Sequence, residues 1–353
     1  MRDQILEALS RVIDPELRKP VTELDMVRGI EIDGGDVTVT IALTVAGCPL
    51  RNSFQDQVAR EVGGVPGVAS VRLEFDVMTP DERAALTTKL RGGRPEEDRR
   101  IQLDPATRVL AVASGKGGVG KSSLTVNLAA ALSSLGRRVG VLDADVYGHS
   151  IPHMLGIRQK PVLVDRLMIP PVKQDLKLMS IGFFLDDNQP IMWRGPMLHK
   201  ALEQFLEDVH WGELDVLVVD MPPGTGDVSI SLGQLLPRAE AVVVTTPQLL
   251  AQEVAVRAAE MALKTGMQLL GVIENMTSEV FGAGGGQRLA TQLGVPLLGN
   301  VPLDARVRES ADAGEPLVLA DPDSEPARAV LEIARAVDEA RSGGFTRTLP
   351  LVS

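Results

Sequence analysis

Residues 114–122 read Ser-Gly-Lys-Gly-Gly-Val-Gly-Lys-Ser, and this glycine-rich stretch is the most informative motif of the chain. It follows an apolar strand pattern, RVLAVAS (108–114), and precedes a helical pattern, SLTVNLAAALSSLG (123–136). The stretch fits G-x-x-x-x-G-K-[ST] in the strand–loop–helix context that a phosphate-binding loop requires. Glycines let backbone N–H groups converge on phosphate oxygens, and the following helix N-terminus adds further donors. The sequence therefore predicts a nucleotide site here.

Two side chains at the end of this loop carry the expected chemistry. Lys121 is expected to neutralise the β- and γ-phosphates of ATP, and the hydroxyl of Ser122 to ligate Mg²⁺. The loop residues predicted to contact ATP are Gly115, Lys116, Gly117, Gly118, Val119, Gly120, Lys121, Ser122 and Ser123. The predicted activity is magnesium-dependent hydrolysis of ATP.

Three carboxylates follow apolar strand patterns downstream of the loop. Asp220 lies in VVDMPPG, where an aspartate can reach Mg²⁺ through water, and Gly224 could offer its N–H to the γ-phosphate. Asp143 and Asp145 lie in VLDADVYG. One of these two can hold the water shell of the metal while the other orients the attacking water.

The segment from 105 to 342 alternates apolar strand patterns with helical patterns. Several of the strands are continuous apolar runs, which suits a parallel sheet covered on both faces. The pattern predicts an α/β fold with a doubly wound, mostly parallel sheet and ligands at the carboxyl ends of its strands. The predicted strands are 108–114, 138–143, 176–182, 214–220, 241–246, 269–275 and 296–301.

The first 90 residues predict a separate small α/β domain. A helical pattern opens the chain, strands are expected at 27–32 and 37–45, and a helix at 49–62 precedes a strand that begins at Val71. Residues 91–104 are charged and contain glycine and proline, so they are predicted to be a linker. Residues 343–353 are predicted to be a loose C-terminal tail.

Composition narrows the class of protein. The 353 residues carry 36 Lys and Arg against 47 Asp and Glu, a formal charge of −11, which argues against nucleic acid as a partner. Cys48 is the single cysteine, so an intrachain disulfide is excluded. Because we find neither a signal-peptide pattern nor an apolar run of about 18 residues, we expect a cytoplasmic protein without a membrane partner.

The motifs together resemble a known family. GKGGVGKS, with its additional lysine Lys116, resembles the deviant Walker A motif of the MinD/ParA ATPases. The motifs MWRGPM, VVDMPPGTGD, TTPQ, IENM, FGAGGG and GNVPLD are similar to those of the Mrp/ApbC branch, the iron–sulfur cluster carrier ATPases. DPEL and LTVAGCPL in the first domain resemble the MIP18-like domain that is fused to some members.

The resemblance implies a homodimer with ATP between its subunits. Lys116 would then reach the nucleotide of the partner subunit, Asp145 would position water, and Asp143 would lie near the metal. Asn275 and Pro302 would contact the adenine. The implied partners are iron–sulfur apoproteins or assembly factors, and the implied function is binding, transfer or assembly of clusters.

The chain departs from the family at one place. The family usually has C-x-x-C between its E-N-M and F-G-x-G-G-G motifs, whereas residues 276–281 read Met-Thr-Ser-Glu-Val-Phe. A [4Fe–4S] cluster normally takes four ligands, and a dimer of this chain has only its two copies of Cys48. Either other ligands complete a cluster, or the protein assists a partner that holds it.

Several interpretations stay open from the sequence. Cys48 precedes Pro49, where a helix start would favour a thiolate and a metal ligand, but a buried packing role fits equally well. His149 and His153 have a metal-binding spacing, but Pro152 lies between them. The alternative function is that of a MinD/ParA-like positioning or regulatory ATPase without a cluster of its own.

Overall fold

The computed structural model describes residues 1–45, 51–93, 103–146, 148–185 and 195–340. It divides into two compact units. The first comprises Met1–Gln102, Pro161–Val172 and Glu207–Gly212, and the second comprises Leu103–Lys160, Lys173–Leu206 and Glu213–Ser353.

The strands are β1 (Val27–Asp33), β2 (Asp36–Leu43), β3 (Ser70–Val77), β4 (Arg108–Ser114), β5 (Val139–Asp143), β6 (Val162–Val164), β7 (Leu167–Ile169), β8 (Val172–Lys173), β9 (Leu176–Ser180), β10 (Val216–Asp220), β11 (Glu240–Thr245), β12 (Gln268–Thr277) and β13 (Leu297–Pro302). The helices are α1 (Arg2–Leu9), α2 (Arg51–Gly63), α3 (Pro80–Leu90), α4 (Lys121–Ser134), α5 (Ile151–Met154), α6 (Gly195–Glu207), α7 (Asp227–Leu235), α8 (Leu249–Lys264), α9 (Gly285–Leu293), α10 (Ala305–Ala313), α11 (Leu317–Ala320) and α12 (Glu325–Glu339). A short 3₁₀ helix spans Ile181–Phe184.

The first unit is built on a three-stranded sheet in the order β1-β2-β3. β1 and β2 are antiparallel around the Gly34 turn, whose positive φ of 59° suits glycine, and β3 runs parallel to β2. Alternate residues Val37, Val39 and Ile41 of β2 are buried and pack in one core with apolar residues of α1 and α2. The small α/β domain predicted for this region has this architecture.

The first unit is discontinuous, which differs from the predicted boundaries of 1–90 and 105–342. The β6–β7 hairpin joins its core through three buried residues, Val164, Leu167 and Ile169. Two polar contacts add to this packing: Thr87 Oγ1 donates to the carbonyl of Val164 at 3.2 Å, and Arg91 lies 3.4 Å from Asp208. The hairpin strands have three residues each, too few for a periodic pattern to predict them.

The second unit has an eight-stranded sheet in the order β13-β12-β11-β4-β10-β5-β9-β8. The neighbouring pairs from β13 to β9 are parallel. Every residue of β5, β9 and β10 is buried, because helices cover both faces of the sheet. The predicted doubly wound α/β fold is confirmed.

Strand order places the candidate site. β10 inserts between β4, which leads into the glycine-rich loop, and β5, which ends at Asp143. Asp220 at the end of β10 is in register with Asp143. The carboxyl ends of β4, β5 and β10 therefore meet at one edge of the sheet. Within the described ranges, no helix has the length and apolar character needed to cross a bilayer.

Candidate functional site

The glycine-rich loop connects β4 to α4, which begins at Lys121. Gly118 and Gly120 have φ values of 79° and 76°, in the left-handed region that side chains disfavour. No heavy atom of another part of the chain lies within 4 Å of the place that a Cβ of Gly117 or Gly118 would occupy. The loop thus keeps one side open, as a phosphate cradle requires.

Two other loop glycines are needed for close packing. A Cβ on Gly115 would overlap the backbone of α8 at Val254. A Cβ on Gly120 would overlap the amide nitrogen of Asn275, which donates to the carbonyl of Val119 at 2.9 Å. The loop is therefore held against α8 on one side and against β12 on the other.

Lys121 forms the charged centre of the site. Its side chain is 6% exposed, and its ammonium lies 2.8 Å from Asp220 Oδ2 and 3.6 Å from Asp145 Oδ2. A buried ammonium needs such compensation, because an unpaired charge in the interior is costly. The structure brings the predicted phosphate lysine together with two of the three predicted carboxylates.

Asp220 is fully buried and accepts hydrogen bonds from two hydroxyls of α4. Ser122 donates to Asp220 Oδ2 at 2.6 Å, and Thr125 donates to Asp220 Oδ1 at 2.7 Å. Thr125 was not predicted. Its signal in the sequence is the spacing of four residues from Lys121, which places both on one face of the helix. The oxygen atoms of Ser122 and Asp220 together suit a hard cation such as Mg²⁺.

Asp143 is also fully buried, and it lies beside Asp220. Burial, and then the negative charge of Asp220, raise the pKa of the Asp143 carboxyl to about 7. Ser180 donates to Asp143 Oδ2 at 2.9 Å, and the backbone N–H of Asp145 donates to Oδ1 at 3.3 Å. Ser180 was not predicted as a site residue, although the predicted strand 176–182 includes it.

Asp145 has a different environment from Asp143. Its Oδ1 accepts the backbone N–H of Gly148 at 3.0 Å, and its Oδ2 faces the ammonium of Lys121. Asp145, in the loop after β5, therefore faces the ammonium of Lys121. Asp143, at the end of β5, instead accepts a hydrogen bond from Ser180.

Gly224 is placed differently from the sequence-based expectation. Its N–H donates to the carbonyl of Ser114 at 2.8 Å, and its φ of 83° is left-handed. In this conformation the N–H holds the β10–α7 loop against the end of β4. A γ-phosphate could receive this N–H only after that bond breaks.

The two residues expected at the adenine lie at the ends of β12 and β13. Asn275 lines a small cavity together with Ser123 and Val301, and its amide contacts the glycine-rich loop. Pro302 ends β13 and is paired with Thr277, but Val301 is the β13 residue that lines the cavity. The structure places Asn275 next to the loop and Pro302 farther along the same edge.

Lys116 is half-exposed on the open side of the loop. Its carbonyl accepts a hydrogen bond from Ser114 Oγ at 3.0 Å. Within the described ranges its ammonium has no ion pair or side-chain hydrogen bond. The role of Lys116 at a partner subunit stays a prediction.

Cys48 lies outside the described residues, as do residues 46–50 around it. The described part of the chain contains no group of three or more His, Cys, Asp or Glu side chains that could hold a metal ion. The segment where the family usually has C-x-x-C forms a turn closed by Ser278 and Gly282, with Val280 exposed at its tip.

Two family models match the chain. Residues 106–338 match the model described as the NUBPL iron-transfer P-loop NTPase. Residues 2–73 match the model described as an iron–sulfur cluster assembly protein. The two matches fall on the predicted ATPase domain and on the small N-terminal domain.

Similar proteins agree with these matches. The iron-sulfur cluster carrier protein of Mycobacterium bovis is 50% identical over 356 residues, which covers 96% of this chain and 93% of the relative. A nucleotide-binding protein of Archaeoglobus fulgidus, solved with ADP, is 34% identical with a TM-score of 0.54, covering 62% of this chain and 89% of its own. The septum site-determining protein MinD of Pyrococcus horikoshii, complexed with Mg-ADP, is 26% identical with a TM-score of 0.54, covering 66% and 96%.

Proposed function

We propose a function for this chain, which belongs to the NUBPL iron-transfer P-loop NTPase family. The protein is a magnesium-dependent ATPase that transfers iron–sulfur clusters to apoproteins or helps to assemble clusters on them. One observation carries the ATPase part. At the end of a glycine-rich loop, the ammonium of Lys121 and the hydroxyl of Ser122 both contact Asp220 Oδ2, at 2.8 and 2.6 Å.

The residues present fit ATP with magnesium. The backbone of the loop would hold the phosphates, since Gly117 and Gly118 leave its outer side open. Ser122 and Asp220 would hold Mg²⁺, which prefers one or two protein oxygens and keeps several waters. The bound ion supplies charge neutralisation on the phosphates. Lys121 would exchange its contact with Asp220 for the β- and γ-phosphates.

The two carboxylates at the end of β5 and in the loop after it would have different roles. Asp145, which already faces Lys121, would orient the attacking water. Asp143, which lies beside Asp220, would keep the loop after β5 in place through its hydrogen bond from Ser180. Lys116 would act across a homodimer on the nucleotide of the partner subunit.

The cluster is the cargo in this proposal. Two copies of Cys48 cannot supply four thiolates, so a [4Fe–4S] cluster would need further ligands from a client apoprotein or an assembly factor. We place this activity in the cytoplasm, without nucleic acid or membrane, in keeping with the formal charge of −11.

The test measures ATPase activity and cluster delivery in the same preparation. Protein is reconstituted anaerobically, and its iron and sulfide contents and its activation of an apo-target are measured with and without ATP. Cys48→Ser should keep ATPase activity and lose cluster binding, whereas Lys121→Ala should lose ATPase activity. Absence of delivery to any apo-target in either condition refutes the cluster function.

A further inference from the structure

The second unit has an open cleft beside the loop that follows β5. It lies between this loop, the 3₁₀ helix after β9 and the C-terminus of α10, with a volume of about 1150 Å³ that includes its mouth. Its polar and charged lining residues are His149, His153, Arg158, Lys160 and Asp312. The ATPase site described above does not use any of these five residues.

Two closely packed glycines form the floor of the cleft. Gly156 and Gly314 have φ values of 58° and 75°, and they pack so closely that a Cβ on Gly314 would lie 2.7 Å from Gly156 Cα. Lys173 Nζ donates to the carbonyls of both glycines, at 3.4 and 3.5 Å. Lys173 therefore occupies the carbonyls of the two glycines that follow α5 and α10.

The charge of the cleft is opposite to that of the chain. In the described ranges, neither Arg158 nor Lys160 has an ion pair or a side-chain hydrogen bond. The carboxylate in the lining, Asp312, lies 3.5 Å from Arg308. A local excess of cations on a chain of formal charge −11 concentrates and orients anionic groups. An arginine fork suits carboxylates especially well.

The walls of the cleft are partly apolar. Pro152, Ile157, Phe183 and Leu185 contribute to the lining. Ile157 and Phe183 are buried behind the wall, whereas Pro152 and Leu185 are partly exposed. A lone inorganic anion would leave the two partly exposed residues in water, whereas a peptide with both acidic and apolar side chains would cover them. The mixture of cations and apolar walls therefore favours an acidic peptide segment.

The cleft shares structure with the ATPase site. The His149 ring packs on Gly182, where a Cβ would lie 2.5 Å from the ring. Ser180 Oγ accepts the N–H of Gly182 at 3.1 Å and donates to Asp143. A ligand that moves His149 or the 3₁₀ helix would therefore act on the residues that hold Asp143.

We infer that this cleft binds an acidic segment of a client protein, and that the bound segment changes the rate of ATP turnover. The inference rests on the proposed function for the identity of the client. Arg158 and Lys160 bind the carboxylates, the apolar wall receives neighbouring side chains, and His149 passes the effect to the loop after β5.

The test uses a fluorescently labelled peptide of glutamate and leucine residues and the full-length protein. Two exposed cations are removed in Arg158→Gln/Lys160→Gln. The matched control is Arg238→Gln/Lys264→Gln, which removes the same charge from two exposed residues, one just before β11 and the other at the end of α8. We expect affinity to fall at least about ten-fold in the first variant, which is about 1.4 kcal/mol, and to stay within about two-fold in the control.

Four further measurements complete the test. The same peptide with glutamine in place of glutamate should not bind, raised salt should weaken binding, and citrate should compete only weakly. The peptide should change ATP turnover in the wild type but not in the Arg158→Gln/Lys160→Gln variant, whose turnover without peptide should equal that of the wild type. Any of four results would overturn the inference. These are equal binding of the glutamine peptide, equal losses of peptide affinity in both double variants, citrate binding as tight as peptide binding, and ATP turnover that the peptide does not change.

Failure of this inference can be separated from failure of the proposed function. Peptide binding is measured without ATP or a cluster. A protein that hydrolyses ATP and delivers clusters but ignores the peptide would leave the proposed function intact.

Discussion

Replacing Asp143 with asparagine tests whether the buried pair of carboxylates destabilises the folded protein at neutral pH. The pKa of Asp143 is raised from 3.8 to about 7, chiefly by burial and then by Asp220. The folded state therefore binds this proton more tightly than the unfolded state does. Stability is lost as the pH rises from about 4 to about 7, and the full shift corresponds to about 4 kcal/mol.

Between about pH 5 and about pH 8, the wild type should lose about 2.5 kcal/mol of unfolding free energy relative to Asp143→Asn. Asparagine has no charge to bury and can still bond to Ser180. Burial, and then Asp14, also raise the pKa of Glu16 to about 7. Because Glu16 contributes equally to the unfolding free energies of the wild type and of Asp143→Asn, the difference between the two proteins reports on Asp143.

The assay is guanidinium unfolding of nucleotide-free protein at both pH values, at constant ionic strength. Asp215→Asn is the control. Its hydrogen-bonded partner Arg138 lowers the pKa of Asp215 to about 2, so this carboxylate is ionised in both states throughout the range. The control should therefore change stability by the same amount at both pH values. A difference between wild type and Asp143→Asn that does not vary with pH would refute the reasoning.

Three other predictions concern the glycine-rich loop. Lys121→Ala should weaken ATP binding at least about ten-fold, because the phosphates lose a charged donor; calorimetric titration measures this. Lys116→Ala should keep ATP affinity within about two-fold but lose turnover in a steady-state phosphate-release assay, and unchanged turnover would contradict an action across the dimer. Gly120→Ala should lower the free energy of unfolding by about 1 to 3 kcal/mol, because it forces a strained φ and displaces Asn275, whereas Gly117→Ala, with open space around it, should be nearly neutral.

The family and the fold could be predicted because their signals are local in the sequence. The glycine-rich loop needs a strand before it and a helix after it, and all three are contiguous between 108 and 136. The predicted strand 214–220 contains a continuous apolar run, 216–219, that ends in an aspartate, so the position of a carboxylate at its carboxyl end could be predicted as well. These features depend on spacing along the chain rather than on which strands become neighbours.

The discontinuity of the first unit was not predictable in the same way. The hairpin Val162–Ile169 lies between segments of the ATPase domain, and its strands are too short to show a period. Its three buried apolar residues pack against the core of the three-stranded sheet, and this contact exists only in the folded chain. Burial against a distant segment leaves no trace in local pattern.

The order of residues along the chain was enough to predict that a phosphate loop, a hydroxyl for magnesium and three carboxylates near strand ends belong to one site. The contacts that distinguish the three carboxylates follow from the order of the strands in the sheet. Because β10 inserts between β4 and β5, Asp220 lies against Asp143, and the two negative charges compete in a buried space. The same strand order turns Asp145 towards Lys121 and ties Asp143 to Ser180. Strand order arises from long-range packing, so a charge interaction between residues 77 positions apart exists only after the sheet has formed.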